Sequence, residues 1–169
     1  MTYKRSFKTE RQSTALYVQN VGLQRCEPND RWGPGVRDHF LIHHVVAGRG
    51  AYTAFGRTYP IEAGQTFLSY PDTSITYCAD VDEPWEYLWV GFGGSDARLL
   101  LSQTDFSPEK PVLSVGSGER LKKLLLRIYA SRGNRPHEAA AMTGNLYVFL
   151  GYLMELAAHA PSGAPSQET

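Results

Sequence analysis

GRGAYTAFGRTYPIEAGQTFLSYPDTSITYCADVDEPWEYLWVGFGG, residues 48–94, is the stretch that decides the fold. Turn chemistry recurs along it at Gly48-Arg49-Gly50, over residues 59–64 and at Tyr70-Pro71-Asp72, and the stretch then runs into Trp85-Glu86-Tyr87-Leu88-Trp89. Segments rich in β-branched and aromatic residues lie between these breaks, at 51–55, 58–61, 66–70, 75–79 and 85–92. Short strands separated by turn signals at intervals of about 8–12 residues describe an antiparallel sandwich or barrel. Upstream, residues 39–46 are almost continuously apolar and predict a strand covered on both faces. Residues 16–18 and 21–26 are candidate first strands, whereas 28–30 and 33–35 read as turns.

Helical spacing takes over downstream. Ser117-Gly118-Glu119 can start a helix whose apolar stripe is Leu121, Leu124, Leu125 and Ile128, and Gly133-Asn134-Arg135-Pro136 ends it. A second helix, from about His137, carries Met142, Leu146, Phe149, Leu150, Leu153, Leu156 and Ala157 at intervals of three and four. A short helix is expected over 96–102. The chain therefore divides into an N-terminal arm (1–14), a barrel (15–94), a helical region (95–160) and a tail of linker composition (161–169).

Bulk composition excludes several functions. Seventeen Lys and Arg balance seventeen Asp and Glu, so the chain as a whole lacks the basic footprint of a protein that grips phosphate backbones. The exception is the arm, with Lys4, Arg5, Lys8 and Arg11, which reads as a loose, solvated segment. Two cysteines make no disulfide framework, and no signal peptide is recognisable, so a reducing cytoplasm is expected. No run approaches the ~18 apolar residues of a membrane span.

Alternation places Trp85, Tyr87 and Trp89 on one face of the last barrel strand, and Glu86, Leu88, Val90 and Phe92 on the other. Rings with polar tips in a barrel lumen suit a small organic ligand such as a sugar, although the same rings could fill an ordinary core. His39 and His43 share a strand face, and His43 can hydrogen-bond in the lumen. His43 and His44 point to opposite faces and cannot chelate one ion, and the later strand at 74–77 supplies no His, so no metal or other cofactor is expected. Glu86, alone in an apolar strand, is expected to pair with Arg37 or Arg31. Neither a nucleophile elbow nor a Walker loop is present.

The run 37–50 (RDHFLIHHVVAGRG), then Gly56, Tyr59, Gly64, Phe67-Leu68, Pro71, Tyr77-Cys78-Ala79-Asp80 and Pro84 to Phe92, resembles the N-terminal effector-binding and dimerisation domain of AraC-type transcriptional regulators. The resemblance covers about residues 15–159. It implies a mainly β protein with C-terminal α-helices: a cupin-like jelly-roll barrel followed by a helical hairpin that pairs two subunits. It also implies that Trp89 stacks on a sugar, with Tyr87 standing where a member of the family uses His, and with Tyr77 and Arg31 as hydrogen-bonding partners. The arm would close over the ligand, a carbohydrate-like effector. The linker would lead to an absent helix-turn-helix module, the only part expected to bind DNA. The dimer contact is expected at Leu150 and Leu153. A metal-dependent cupin enzyme is the competing reading, and a dimerisation module with a filled barrel is a third.

Overall fold

The computed structural model describes residues 1–10 and 15–159. Arg11 of the basic arm and the tail 161–169 lie outside the described residues. In chain order the strands are β1 (Tyr3–Lys8), β2 (Tyr17–Arg25), β3 (Arg31–Val36), β4 (Phe40–Ala47), β5 (Arg49–Ala54), β6 (Arg57–Glu62), β7 (Gln65–Ser69), β8 (Ser74–Ala79) and β9 (Glu86–Gly93). Helix α1 (Ala97–Ser102), strand β10 (Val112–Ser114), and helices α2 (Glu119–Ala130) and α3 (Pro136–His159) follow.

Two sheets face each other as a cupin-like jelly roll, one ordered β1-β2-β9-β4-β7-β10 and the other β3-β8-β5-β6. Sequence neighbours such as β4 and β5 sit in different sheets, so the chain crosses between layers instead of meandering within one. The six-stranded sheet has two apolar faces. Its inner face contributes Leu41, Val45, Phe67, Tyr87 and Trp89 to the core between the sheets, where they meet Tyr52, Ile75 and Tyr77. Its outer face contributes Val18, Val21, Ile42, Leu88, Val90 and Phe92, which the helices cover. That double coverage explains the nearly unbroken hydrophobicity of β4 and β9, both almost wholly buried.

The predicted stripe of α2 is buried throughout, at Leu121, Leu124, Leu125 and Ile128. On α3 the buried residues are Met142, Leu146, Phe149, Leu150 and Leu153. All of them join the outer-face core of this same chain. This corrects the expectation that Leu150 and Leu153 form a dimer contact: at 0% and 1% exposure they are held inside the chain, against the sheet. The apolar period of the helix is met by β2, α2 and α1.

Two further expectations change. Residues 3–8 are not a loose arm; β1 pairs with β2 along its whole length, from Tyr3↔Arg25 to Lys8↔Asn20. A lysine-bearing edge strand has little hydrophobic signature, because edges are protected by charge. Gly33-Pro34-Gly35 is not a turn but the irregular middle of β3, where the pairing with β8 shifts between Trp32↔Tyr77 and Gly35↔Ile75.

Leu150→Ala tests the intramolecular role of α3. It should lower the stability of the chain by about 2–5 kcal/mol, the cost of a core cavity. The check is denaturant unfolding at several protein concentrations, with the loss independent of concentration.

Candidate ligand-binding site

Backbone register lays out the floor of the site. Across the inner face of the six-stranded sheet, Ser6 faces Gly22, Gly22 faces Trp89, Trp89 faces His43, and His43 faces Phe67. One flanking row runs Lys4–Gln24–Tyr87–Val45, and the other runs Lys8–Asn20–Gly91–Leu41. Paired residues in a sheet share a face, so these rows converge on one surface. From the opposite sheet β3 and β8 bring Arg31, Trp32 and Tyr77, and Arg37 follows β3. Between them lies a cavity of about 470 Å³. Trp89, Tyr87, Tyr77, His43 and Arg31 all line it. Trp85 shares their strand face but lies deeper, stacked on Phe67 at 5.6 Å and only 1% exposed.

Trp89 is held on both flanks. Its indole lies across Gly22, where a Cβ would come within 2.5 Å of the ring. Its Nε1–H donates to Asn20 Oδ1 at 2.9 Å. The Asn20 amide must then direct its Nδ2 toward His39 Nε2, at 3.2 Å. That leaves His39 Nδ1 protonated, donating to Asp38 at 2.9 Å. Burial lowers the pKa of His39 against the pull of Asp38, in keeping with a neutral ring. Gly91 makes room for this chain of bonds, since a Cβ there would meet Asn20 at 2.6 Å.

His43 sits at the centre of an aromatic cage. It stacks on Phe67 at 4.6 Å and contacts Tyr77 at 4.7 Å and Tyr87 at 4.6 Å. Burial, with a smaller contribution from Arg37, lowers its pKa to about 3. The imidazole is neutral near pH 7, and its buried Nδ1 has no hydrogen-bond partner. Buried polar atoms are rarely left unpaired, so this one is available to a ligand or water.

Arg37, expected only as a partner for Glu86, is among the lining residues that sequence reasoning did not place in the site. Its guanidinium centre lies 3.9 Å over the Trp32 ring, and Trp32 in turn stacks on Tyr77 at 5.5 Å. A terminal nitrogen donates to the Tyr77 hydroxyl at 2.9 Å, while the buried Nε has no partner. Arg37 does not pair with Glu86, and neither does Arg31. Glu86 lies on the other strand face, bonded to Arg25 at 3.1 Å and to the Tyr3 hydroxyl. Burial raises the pKa of Tyr77 against the influence of Arg37, and burial likewise raises that of Tyr87. Both phenols stay protonated at neutral pH.

Asp30 is the one carboxylate among the described residues lining the cavity, so no pair of carboxylates meets there. Among the described residues no three His, Cys, Asp or Glu side chains are grouped to hold a metal ion. Both nitrogens of His39 are engaged, and His44 bonds Thr66 on the opposite face at 2.9 Å. What remains is a ring-lined cavity with a few fixed polar atoms, the usual composition of a small-molecule site.

The model of the AraC-like ligand binding domain family matches residues 18–150. The chain is 32% identical over 141 residues to the Msm operon regulatory protein of Streptococcus mutans serotype c, a match covering 83% of this chain and 51% of that protein. It is 36% identical over 84 residues to the raffinose operon transcriptional regulatory protein RafR of Pediococcus pentosaceus, covering 48% of this chain and 30% of that one. Against the lactose operon transcription activator of Staphylococcus xylosus it is 30% identical over 86 residues, covering 51% and 31%. The chain thus spans about half the length of the first relative and less of the others.

The buried histidines predict a pH dependence. His43, near 3, and His44, near 4 through burial, stay neutral in the folded chain while the unfolded chain protonates them near 6.5. The unfolded state then binds more protons, and stability falls as pH drops from 6.5 towards 4 and then 3. Each histidine contributes a slope of about 1.4 kcal/mol per pH unit well below 6.5. Denaturant unfolding between pH 7 and 5 should show this loss, and His43→Gln should reduce its slope by about one proton.

Proposed function

Because the chain belongs to the AraC-like ligand-binding domain family, we propose that it is the effector-sensing part of a transcriptional regulator, taking a small carbohydrate into its lumen without bond-making chemistry. The observation that carries this reading is the cavity itself. Trp89 and Tyr87 form a fixed aromatic floor, and His43 and Arg37 offer unpartnered nitrogens beside them. An indole face suits the C–H face of a sugar ring, and the polar atoms suit its hydroxyls. The relatives named for raffinose and lactose operons favour the same ligand class.

Signalling in this proposal is a shift in population. β1 carries Lys4, Ser6 and Lys8 on the face that borders the cavity, so a ligand touching them favours the seated strand over a released one. Differential contact of this kind is what a sensor requires. DNA binding belongs to a further module of the regulator, in the cytoplasm. The free thiols of Cys26 and Cys78 are in keeping with a reducing compartment. Pairing of two subunits uses the face of α3 that the chain leaves uncovered, where Ala140, Ala141, Gly144, Tyr147, Val148 and Gly151 are exposed at helical spacing.

A sugar panel should raise the melting temperature, with about 2.7 kcal/mol of stabilisation at a hundredfold excess over Kd. Trp89→Ala should weaken that binding by ~1–3 kcal/mol, measured by calorimetric titration. Absence of any shift across mono- and oligosaccharides overturns the proposal. Separately, Val148→Asp should yield folded monomers by light scattering; a persistent dimer moves the contact elsewhere.

A further inference from the structure

We infer that the carbohydrate this cavity takes carries an anionic group, a carboxylate or a phosphate, on a ring that stacks on Trp89. The inference rests on the carbohydrate reading above and narrows it. Its basis is a local charge imbalance in a chain whose net charge is zero. Four cations line the cavity, Lys4, Lys8, Arg31 and Arg37, against the single carboxylate of Asp30. Asp30 accepts a bond from Gln24 at 3.1 Å and forms no ion pair with any of the four.

Outside the cavity some arginines are ion-paired, while among the described residues Arg5, Arg57, Arg98, Arg127 and Arg132 are not. Arg25, Arg49, Arg120 and Arg135 each have a carboxylate within 4 Å. Among the described residues the four cavity cations have none. Cations collected around a concave site without counter-charges raise the local concentration of anions and favour an anionic occupant. A neutral ligand offers these groups hydroxyl oxygens but no counter-charge.

Placement supports the same conclusion. Lys4 heads the row that contains Tyr87, and Lys8 heads the row that contains Asn20 and Gly91. These rows flank the one that contains Trp89. Two residues along a strand span about 6.6 Å, so Lys4 and Lys8 stand on either side of Ser6 at the β1 edge of the cavity, with β2 between them and Trp89. Arg37 faces them from the other sheet. Its guanidinium lies over Trp32, bonds the Tyr77 hydroxyl and presents a buried Nε–H without an acceptor. A pre-oriented guanidinium is the side chain best matched to carboxylate and phosphate oxygens. The three histidines near the site do not change the balance, since His39 and His43 are neutral and His44 faces the other way.

The test is calorimetric titration of the chain with matched sets of glucose, galactose and mannose, their uronates and their 6-phosphates, at low and high ionic strength. Inorganic phosphate and acetate serve as anion-only probes. We expect at least one uronate or 6-phosphate to bind tenfold or more tightly than its neutral parent, with an advantage that shrinks as salt rises. The uronate and phosphate arms tell the two anions apart. Arg37→Gln should reduce that affinity about tenfold to a hundredfold, the scale of a charge-assisted bond. The Lys4→Gln/Lys8→Gln double variant, altered at an exposed edge, should flatten the salt dependence even if the Arg37 variant folds poorly. Neutral sugars binding as tightly as their anionic forms overturn this inference and leave the carbohydrate reading standing. Binding by no sugar overturns both, and inorganic phosphate binding as tightly as a sugar phosphate also overturns it.

Discussion

Strands β4 and β9 lie side by side in the middle of the larger sheet, and each must satisfy two apolar surroundings at once. Alternation sends Tyr87 and Trp89 inward with His43, while Leu88, Val90 and Phe92 go outward beneath the helices. A one-residue slip would exchange these two sets, burying the indoles under α2 and α3 and lining the lumen with aliphatic side chains. The register Trp89↔His43, with Gly22 and Phe67 continuing the same row, is therefore the constraint from which both the core and the cavity follow. The helices belong to it as well, because they cover the outer face and so permit a sheet with no solvated side.

Much of this architecture could be read from residues 48–94, because period-two alternation with aromatic residues is a strong local signal. The facing of Trp85, Tyr87 and Trp89 is as alternation predicts, and so is the burial of the α2 stripe. What escaped had no local signature. β1 is short, charged and stabilised by backbone pairing with β2, so its six residues read as a solvated arm. β3 is interrupted by Gly33-Pro34-Gly35 and looks like a turn until β8 pairs with both of its ends. The helical period of α3 shows that one face is apolar but not what that face meets. Here it meets the chain's own sheet, so Leu150 and Leu153 are core.

The site shows the same division. Tyr87 and Trp89 were legible because they sit on one strand at fixed spacing, whereas Trp32, on the interrupted β3, was not. Of the polar members His43 and Arg31 were expected, whereas Asn20, Arg37, Lys4 and Lys8 were not, because each is placed by a non-local contact. Asn20 matters through its bonds to Trp89 and His39, and nothing in the segment around it signals this. Arg37 and Arg31 flank one strand, and both border the cavity. Only the stacking on Trp32 and the bond to Tyr77 single out Arg37 as the fixed guanidinium. The cationic edge, Lys4 and Lys8, belongs to a strand that local pattern does not reveal.

In the proposed function a ligand seats on the Trp89 indole inside the lumen. The most direct measurement is the nitrogen-15 spectrum of the three indole N–H groups, assigned by substitution, during titration with a sugar. A sugar seated there gives a saturable shift of the Trp89 resonance, which reports its bond to Asn20, while that of Trp85 in the sealed core stays in place. A saturable shift confined to Trp85, or bound sugar with the Trp89 resonance unmoved, would contradict it.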